Sequence, residues 1–95
     1  MAAYVFADVH IQDPAAFDEY RQRVPASIAA HGGRYLVRGG NVEVLEGEFD
    51  ARRIIILEFP NMEAIRTWYN SVEYQELLRS RDRAAKTLLI TIEGV

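Results

Sequence analysis

The stretch RYLVRGGNVEVLEG, residues 34–47, decides the fold that this chain is expected to adopt. Its valine, leucine and tyrosine residues are typical of a β-strand. The Gly39-Gly40 pair inside it indicates a bulge or a sharp bend, because glycine in a strand gives up packing for backbone freedom. Arg38 stands directly before the glycines, on the same strand parity as Arg34. A charged residue beside a strand distortion indicates either a functional role or an ion pair with a nearby acid.

Three further segments carry strand patterns. Residues 52–59 follow residues 34–47 after the short turn-rich connection 48–51, which predicts an antiparallel hairpin. Residues 4–11 are rich in β-branched and aromatic side chains and place apolar residues at alternate positions. Residues 86–93 form a closing strand of the same kind.

Helices are predicted between these strands. Asp13 before Pro14 combines an N-cap side chain with a proline at the first helical position, and Gly32-Gly33 supplies a left-handed C-cap. Pro25 falls inside this helix, so a kink or a break in two is expected there.

Two more helix starts lie further along the chain. Asn61 caps a helix whose inner face is aromatic, and Ser71 caps a second helix that extends to about Ala85. The order strand, helix, strand, strand, helix, strand predicts an α+β fold: a ferredoxin-like four-stranded antiparallel sheet with the helices on one face.

The other face of that sheet is expected to be apolar. The alternate residues Tyr4 and Phe6 of the first strand, and Ile55 and Leu57 of the third, indicate an apolar face whichever set of alternate side chains points outward. Packing two such sheets face to face in a homodimer covers it. The 95 residues form one predicted domain, residues 1–95.

Composition excludes several classes of function. The net charge is −3 and the arginines are mixed with carboxylates, so nucleic acid is not expected as a partner. The longest apolar run is strand-sized, which argues against a membrane span. The chain has no cysteine, so disulfides and thiolate chemistry are absent. Its N-terminus has no export pattern, and a cytoplasmic location is expected.

Arg38, Glu58 and His31 are the candidate catalytic side chains. The Arg38 guanidinium suits a carboxylate or an enolate, and a partly buried Glu58 carboxylate suits a general base; the alternative is an ion pair between the two. His31 fits an acid, a base or, equally, a group that caps the first helix. With only one other histidine, His10, and no ligand spacing, no metal site and no cofactor are expected.

Aromatic residues are the candidate ligand-binding side chains, because their rings can line a pocket while their polar atoms bind a ligand. Tyr20 and Tyr74 are the better pocket candidates; Trp68 and Tyr69 fit the core at least as well. The full set is Tyr20, Tyr35, Trp68, Tyr69 and Tyr74. The basic end of the last helix, with Arg79, Arg81 and Arg83, is interpreted as a solvated face.

A series of short motifs spans nearly the whole chain. Those that matter most are Asp13-Pro14, Phe17-x-x-Tyr20, Val24-Pro25-Ala26, residues 31–40, residues 42–47, Glu58-Phe59-Pro60, Trp68-Tyr69, Ser71-x-x-Tyr74 and Glu93-Gly94-Val95. In this order they closely resemble the small bacterial proteins of the family called domain of unknown function 1330. One departure is Ser71-Val72, where members commonly have Ser-Pro.

The resemblance implies the dimeric α+β barrel superfamily, which contains cofactor-free monooxygenases, muconolactone isomerases, stress-response proteins and ligand-binding modules. Two functions follow as hypotheses. The first is a cofactor-independent enzyme that abstracts a proton from, isomerises or oxygenates a small aromatic or carboxylate-bearing molecule. The second is a ligand-binding or stress-associated module that uses the same groups without turnover. A structural dimer with no pocket is a third.

Overall fold

Four strands and three helices follow one another in the predicted order in the computed structural model, which describes residues 1–95. They are β1 Ala3–Ile11, α1 Pro14–Ala30, β2 Arg34–Arg38, β3 Ile54–Phe59, α2 Met62–Tyr69, α3 Val72–Ala84 and β4 Ala85–Glu93. The strands form one antiparallel sheet in the order β2-β3-β1-β4. This confirms the ferredoxin-like fold. None of the helices has the length and apolar character needed to cross a membrane.

Each helix begins at a capping side chain, as predicted. Asp13, Asn61 and Ser71 each accept a hydrogen bond from the backbone N–H three residues on, at 3.1, 2.8 and 3.1 Å. Such a cap satisfies a donor that the helix itself leaves unpaired and contributes about 1 kcal/mol. The caps therefore fix where the chain turns from strand to helix.

The first helix ends in a Schellman motif. Gly32 has a positive φ of 80°, its N–H donates to Ala29, and the Gly33 N–H donates to Ile28. These bonds satisfy carbonyls at the helix end, which is why glycine is needed there. The helix runs unbroken through Pro25, so the predicted alternative of a break in two is wrong.

The core lies between the helices and one face of the sheet. Its fully buried members include Trp68 from α2, Tyr74 from α3, and Phe59 and Val5 from the sheet. Each buried apolar side chain of this size stabilises the fold by about 1.5–3 kcal/mol. This packing holds α1 and α3 side by side over β1.

The other face of the sheet carries no helix. Val5 and Ala7 are buried under the helices, so the alternate residues Tyr4 and Phe6 point to this other face, as do their partners Glu58 and Ile56. Large apolar side chains of β4 are exposed there: 54% for Leu88, 44% for Ile90 and 59% for Ile92. These residues, with Tyr4, Phe6, Leu36 and Ile56, are called the open face below.

The hairpin of β2 and β3 is shorter than predicted. β2 ends at Arg38 and β3 begins at Ile54, so residues 39–53 form an irregular segment and not the second half of a strand. Gly39, with a φ of 72°, turns the chain out of the sheet. The segment contains Gly40, Gly47, Asn41 and Asp50, which are poor strand formers. Gly39-Gly40 is thus a sharp bend that ends β2, and the bulge lies elsewhere.

Candidate functional site

A β-bulge in β2 determines where Arg38 points. Tyr35 pairs with Leu57 and Val37 pairs with Ile56, so Leu36 is an extra residue with no partner on β3. The extra residue reverses the alternation of side chains along the strand. Arg34 therefore lies opposite Glu58 on the open face, while Arg38 lies opposite Ile55 on the helix face. The predicted shared parity of Arg34 and Arg38 is wrong for this reason.

A cavity of about 50 Å³ lies between the helices and this face of the sheet. That volume is enough for roughly three to five water molecules. Its lining is mostly apolar but contains four arginines. The lining residues are Val5, Ala7, Val9, Phe17, Tyr20, Arg21, Val24, Ile28, Tyr35, Arg38, Arg53, Ile55, Leu57, Trp68, Tyr74, Arg81, Thr87 and Leu89.

Four of the five aromatic candidates reach this cavity: Tyr20, Tyr35, Trp68 and Tyr74. The Trp68 indole N–H donates to the Ser27 hydroxyl at 3.2 Å, which in turn donates to the Val24 carbonyl at 2.9 Å. These bonds satisfy the buried polar atom of Trp68 and hold its ring in place. The indole therefore serves as a rigid wall of the cavity.

Arg81 lies at the buried end of the site. Its residue exposure is only 6%, one guanidinium nitrogen donates to the Tyr74 hydroxyl at 2.9 Å, and another donates to Asp82 at 3.2 Å. Its interpretation as part of a solvated basic face is therefore wrong. The sequence does carry a signal: Arg81 follows Tyr74 by seven residues and Leu77 by four, which places it on the apolar stripe of α3.

Burial changes the acidity of two phenols in the site. Burial raises the pKa of Tyr74 well above its ordinary value, although the Arg81 guanidinium acts in the opposite direction. Burial likewise raises the pKa of Tyr35, against the opposing charge of Arg38, whose guanidinium lies 4.6 Å from the centre of the Tyr35 ring. Both side chains are therefore neutral hydrogen-bonding groups at neutral pH.

The exposed side of the site is formed by Arg38 and Arg53, neither of which has an acidic partner within 4 Å. Asp8 sets the position of Arg53, because its carboxylate accepts hydrogen bonds from the backbone N–H groups of Arg52 and Arg53 at 3.0 and 3.2 Å. A side chain at Gly39 would clash with the Arg53 guanidinium. The glycine thus serves both the bend after β2 and the approach of Arg53.

Three predicted site residues lie outside the cavity. Glu58 accepts from Arg34 at 2.8 Å on the opposite side of the sheet, so the alternative of an ion pair with Arg38 is wrong. The His31 ring bonds to the Ser27 carbonyl at 2.9 Å at the end of α1, in the capping position. Tyr69 packs on Trp68 and Tyr74 without reaching the cavity.

The polar side chains of the lining are cationic or neutral, and none is acidic. The lining contains four guanidinium groups, three phenols and a threonine, but no carboxylate and no imidazole. No group of three or more histidine and acidic side chains comes together elsewhere in the fold either. The cavity is therefore equipped to bind a negatively charged or oxygen-rich molecule, and its hydrogen-bonding groups are mainly donors.

This fold and cavity define the chain as a ferredoxin-like α+β protein with an arginine-rich, apolar pocket under its helices. A family model described as a domain of unknown function, DUF1330, matches residues 2–95. The chain therefore belongs to the DUF1330 family. No protein of curated function matches it.

Several solved structures share the fold. RPA0582, a protein of unknown function from Rhodopseudomonas palustris, is 19% identical, with 99% of this chain and 82% of that chain covered and a TM-score of 0.73. SnoaB, a cofactor-independent oxygenase from Streptomyces nogalater, is 12% identical, with 99% and 93% covered and a TM-score of 0.67. A dimeric ferredoxin-like protein of unknown function from Jannaschia is 12% identical, with 99% and 100% covered and a TM-score of 0.67. At these identities the likeness shows the fold alone.

Replacing Asp8 with asparagine tests the anchor that holds Arg53. Burial acts to raise the pKa of Asp8, but the N–H donors of Arg52 and Arg53 and the nearby His10 outweigh it and lower this pKa. A lowered pKa in the folded state means stability that is present above the ordinary carboxyl pKa, near 4, and lost as pH falls below it. Asp8→Asn is expected to lower the free energy of unfolding at pH 7 by on the order of 1–3 kcal/mol. It should also flatten the fall in stability below pH 4.

Urea unfolding at pH 2.5 to 7 measures both effects. Asp50→Asn is the matched control, because the Asp50 side chain is 81% exposed. Equal pH profiles for wild type and Asp8→Asn would contradict the anchoring role of the Asp8 carboxylate.

Proposed function

We propose that the protein binds a small carboxylate-bearing molecule in the cavity under its helices. The observation that carries this proposal is that two of the four arginines in the lining, Arg38 and Arg53, have no acidic partner, whereas Arg21 pairs with Asp18 and Arg81 with Asp82. Protein surfaces usually balance such charges with carboxylates, and a guanidinium that lacks one attracts an anion.

Arg38 is the best candidate for the group that binds the carboxylate. It is exposed, it lines the cavity, and it has no acidic partner. Its position over the Tyr35 ring leaves the edge of the planar guanidinium free for two parallel hydrogen bonds. Arg53 adds a second positive charge on the same side of the site.

The size of the cavity limits which ligands fit. About 50 Å³ accommodates a short carbon chain but is smaller than the roughly 150 Å³ of an engineered cavity that binds benzene. A small carboxylate with its charged end at Arg38 therefore places only its hydrocarbon end in this volume, and larger molecules require the lining to move.

The proposed activity is that of a cofactor-independent enzyme. SnoaB, which shares the fold, is described as a cofactor-independent oxygenase. In this chain the proposed roles are binding and anion stabilisation by Arg38, with Tyr20, Tyr35, Trp68 and Tyr74 positioning the molecule. Glu58 and His31 have no contact with the cavity, so the proposal no longer assigns either of them the role of base.

The second candidate is a binding module without turnover. It is favoured by the absence of any carboxylate or imidazole among the lining residues, since these are the usual general bases. Conversion of a bound carboxylate by wild-type protein, abolished in Arg38→Met, supports the enzyme. Binding that leaves the molecule chemically unchanged, in air and over hours, supports the module.

Binding itself is tested with butyrate and its neutral isostere butyramide, followed by protein NMR. Butyrate should bind at least about tenfold more tightly than butyramide, because only the carboxylate pairs with a guanidinium. Arg38→Met should weaken butyrate binding about five- to tenfold. Arg79→Met, which removes the same charge from an exposed position of α3 outside the cavity, should change it less than about twofold. Equal binding of acid and amide would contradict the proposal.

We also propose that a second copy of the chain covers the open face. Leu88, Ile90 and Ile92 of β4 are exposed on this face, next to the apolar Tyr4 and Phe6 of β1. Surfaces of this kind on small domains are usually interaction sites. The structure from Jannaschia is described as a dimer. A bacterial source and a cytoplasmic location for this chain remain predictions.

Light scattering at tens of micromolar protein tests the dimer. The expected mass is twice the 10.8 kDa of the chain. Ile90→Lys should give the monomer mass, because a buried unpaired charge opposes sheet packing. Val72→Lys, at an exposed position on α3 away from the open face, should leave the dimer intact. A monomeric wild-type protein would contradict the proposal.

A further inference from the structure

Three polar side chains form a chain of hydrogen bonds along the cavity. An Arg81 guanidinium nitrogen lies 2.9 Å from the Tyr74 hydroxyl, and the two phenolic oxygens of Tyr74 and Tyr20 are 3.2 Å apart. The Arg81 guanidinium also lies 5.8 Å from the centre of the Tyr20 ring. All three residues line the cavity.

The direction of these hydrogen bonds follows from counting protons. A guanidinium only donates, so the Tyr74 oxygen accepts from Arg81. The two phenols have two protons between them, and only one can lie between their oxygens. The other proton needs a different acceptor.

Burial determines which phenol has the proton that does not lie between the two oxygens. Tyr74 is 0% exposed, and its hydroxyl has no partner other than Arg81 and Tyr20. Tyr20 is only half-buried. A buried hydroxyl without an acceptor costs about 1–3 kcal/mol, so Tyr74 donates to Tyr20. The Tyr20 proton is then left for a group in the cavity.

The site has further unused hydrogen-bonding capacity at the same lining. The Arg81 Nε and the Thr87 Oγ1 atoms are buried and have no hydrogen-bond partner. Buried polar atoms are nearly always paired in folded proteins. Both atoms belong to residues of the cavity lining, although neither atom is itself exposed to the cavity.

We propose that Tyr20 donates its hydroxyl proton to a carbonyl oxygen of the bound molecule, so that the ligand is a short oxo acid. This inference rests on the proposed function: the carboxylate lies at Arg38 and the second oxygen lies at Tyr20. Arg81 and Tyr74 are positioning residues. They orient the Tyr20 hydroxyl and, because hydrogen bonds in a chain polarise one another, make it a stronger donor.

A hydroxyl donor at Tyr20 gives the site a selectivity that the arginines alone do not provide. A guanidinium binds any carboxylate of the right size. A ligand that displaces water from the Tyr20 hydroxyl binds better when it has an acceptor at the matching place. An acid without that acceptor leaves the donor unsatisfied.

The experiment compares 2-oxobutyrate with butyrate, which have the same chain length and charge and differ only in the keto oxygen. Protein NMR titrations give the ratio of their dissociation constants. Wild-type protein should prefer 2-oxobutyrate by about three- to tenfold, the usual worth of one hydrogen bond. Tyr20→Phe should bring the ratio close to one, because both acids then meet the same ring without the hydroxyl donor. Tyr74→Phe should lower the ratio part of the way, and Tyr69→Phe, outside the cavity, should leave it unchanged.

The outcomes separate this inference from the proposed function. If both acids bind equally to wild type and both depend on Arg38, the carboxylate site stands and the role of Tyr20 is overturned. A keto preference that survives in Tyr20→Phe also overturns it. If neither acid binds wild type, the proposed function falls and this inference falls with it. Thermal unfolding of each variant checks the fold, and the ratio of two ligands on one variant cancels any general loss of packing.

Discussion

The β-bulge at Leu36 is the constraint on which the rest of the site depends. Along a regular strand, residues four apart share a face. One extra residue between Tyr35 and Val37 places Arg34 and Arg38 on opposite faces of the sheet. Arg34 then pairs with Glu58 on the open face, and Arg38 reaches the cavity on the other. The bulge thus supplies a cation to a pocket that regular alternation would have left without it.

The two arginines at the ends of the site lie in different surroundings. The exposed Arg38 guanidinium lies over the Tyr35 ring, an arrangement that contributes about 0.5–1 kcal/mol. Arg81 has a desolvation penalty, because it is almost fully buried and its only acidic partner, Asp82, is itself exposed. A hydrophobic residue at position 81 would avoid this penalty. A buried cation at one end and a cation without an acidic partner at the other are the reason to regard the cavity as a binding site.

The sequence predicted the architecture well because local signals agree with the fold. Asp13, Asn61 and Ser71 cap the helices where their side chains indicate, and Gly32 closes the first helix with the positive φ that glycine permits. These are short-range effects, and each acts within four residues. The length of the hairpin was overestimated, because alternation in residues 40–47 suggests a strand whether or not a partner strand exists.

The site was predicted less completely, because it depends on long-range register. The bulge is set by pairing with β3, and nothing within residues 34–38 marks Leu36 as the extra residue. That single shift separated Glu58 from Arg38. Arg81 was detectable from its place on the apolar stripe of α3, but its contact with Tyr74 and Tyr20 depends on how α1 packs against α3. Arg53 was missed because its position depends on Asp8, 45 residues earlier in the chain.

A nuclear Overhauser experiment on labelled protein determines whether Arg38 lies on the helix face of the sheet. Cross-peaks are expected between the Arg38 side-chain protons and the ring protons of Tyr35, since the guanidinium lies 4.6 Å from the ring centre. Cross-peaks from Arg38 to Ile56 or Phe6, on the open face, would contradict this placement.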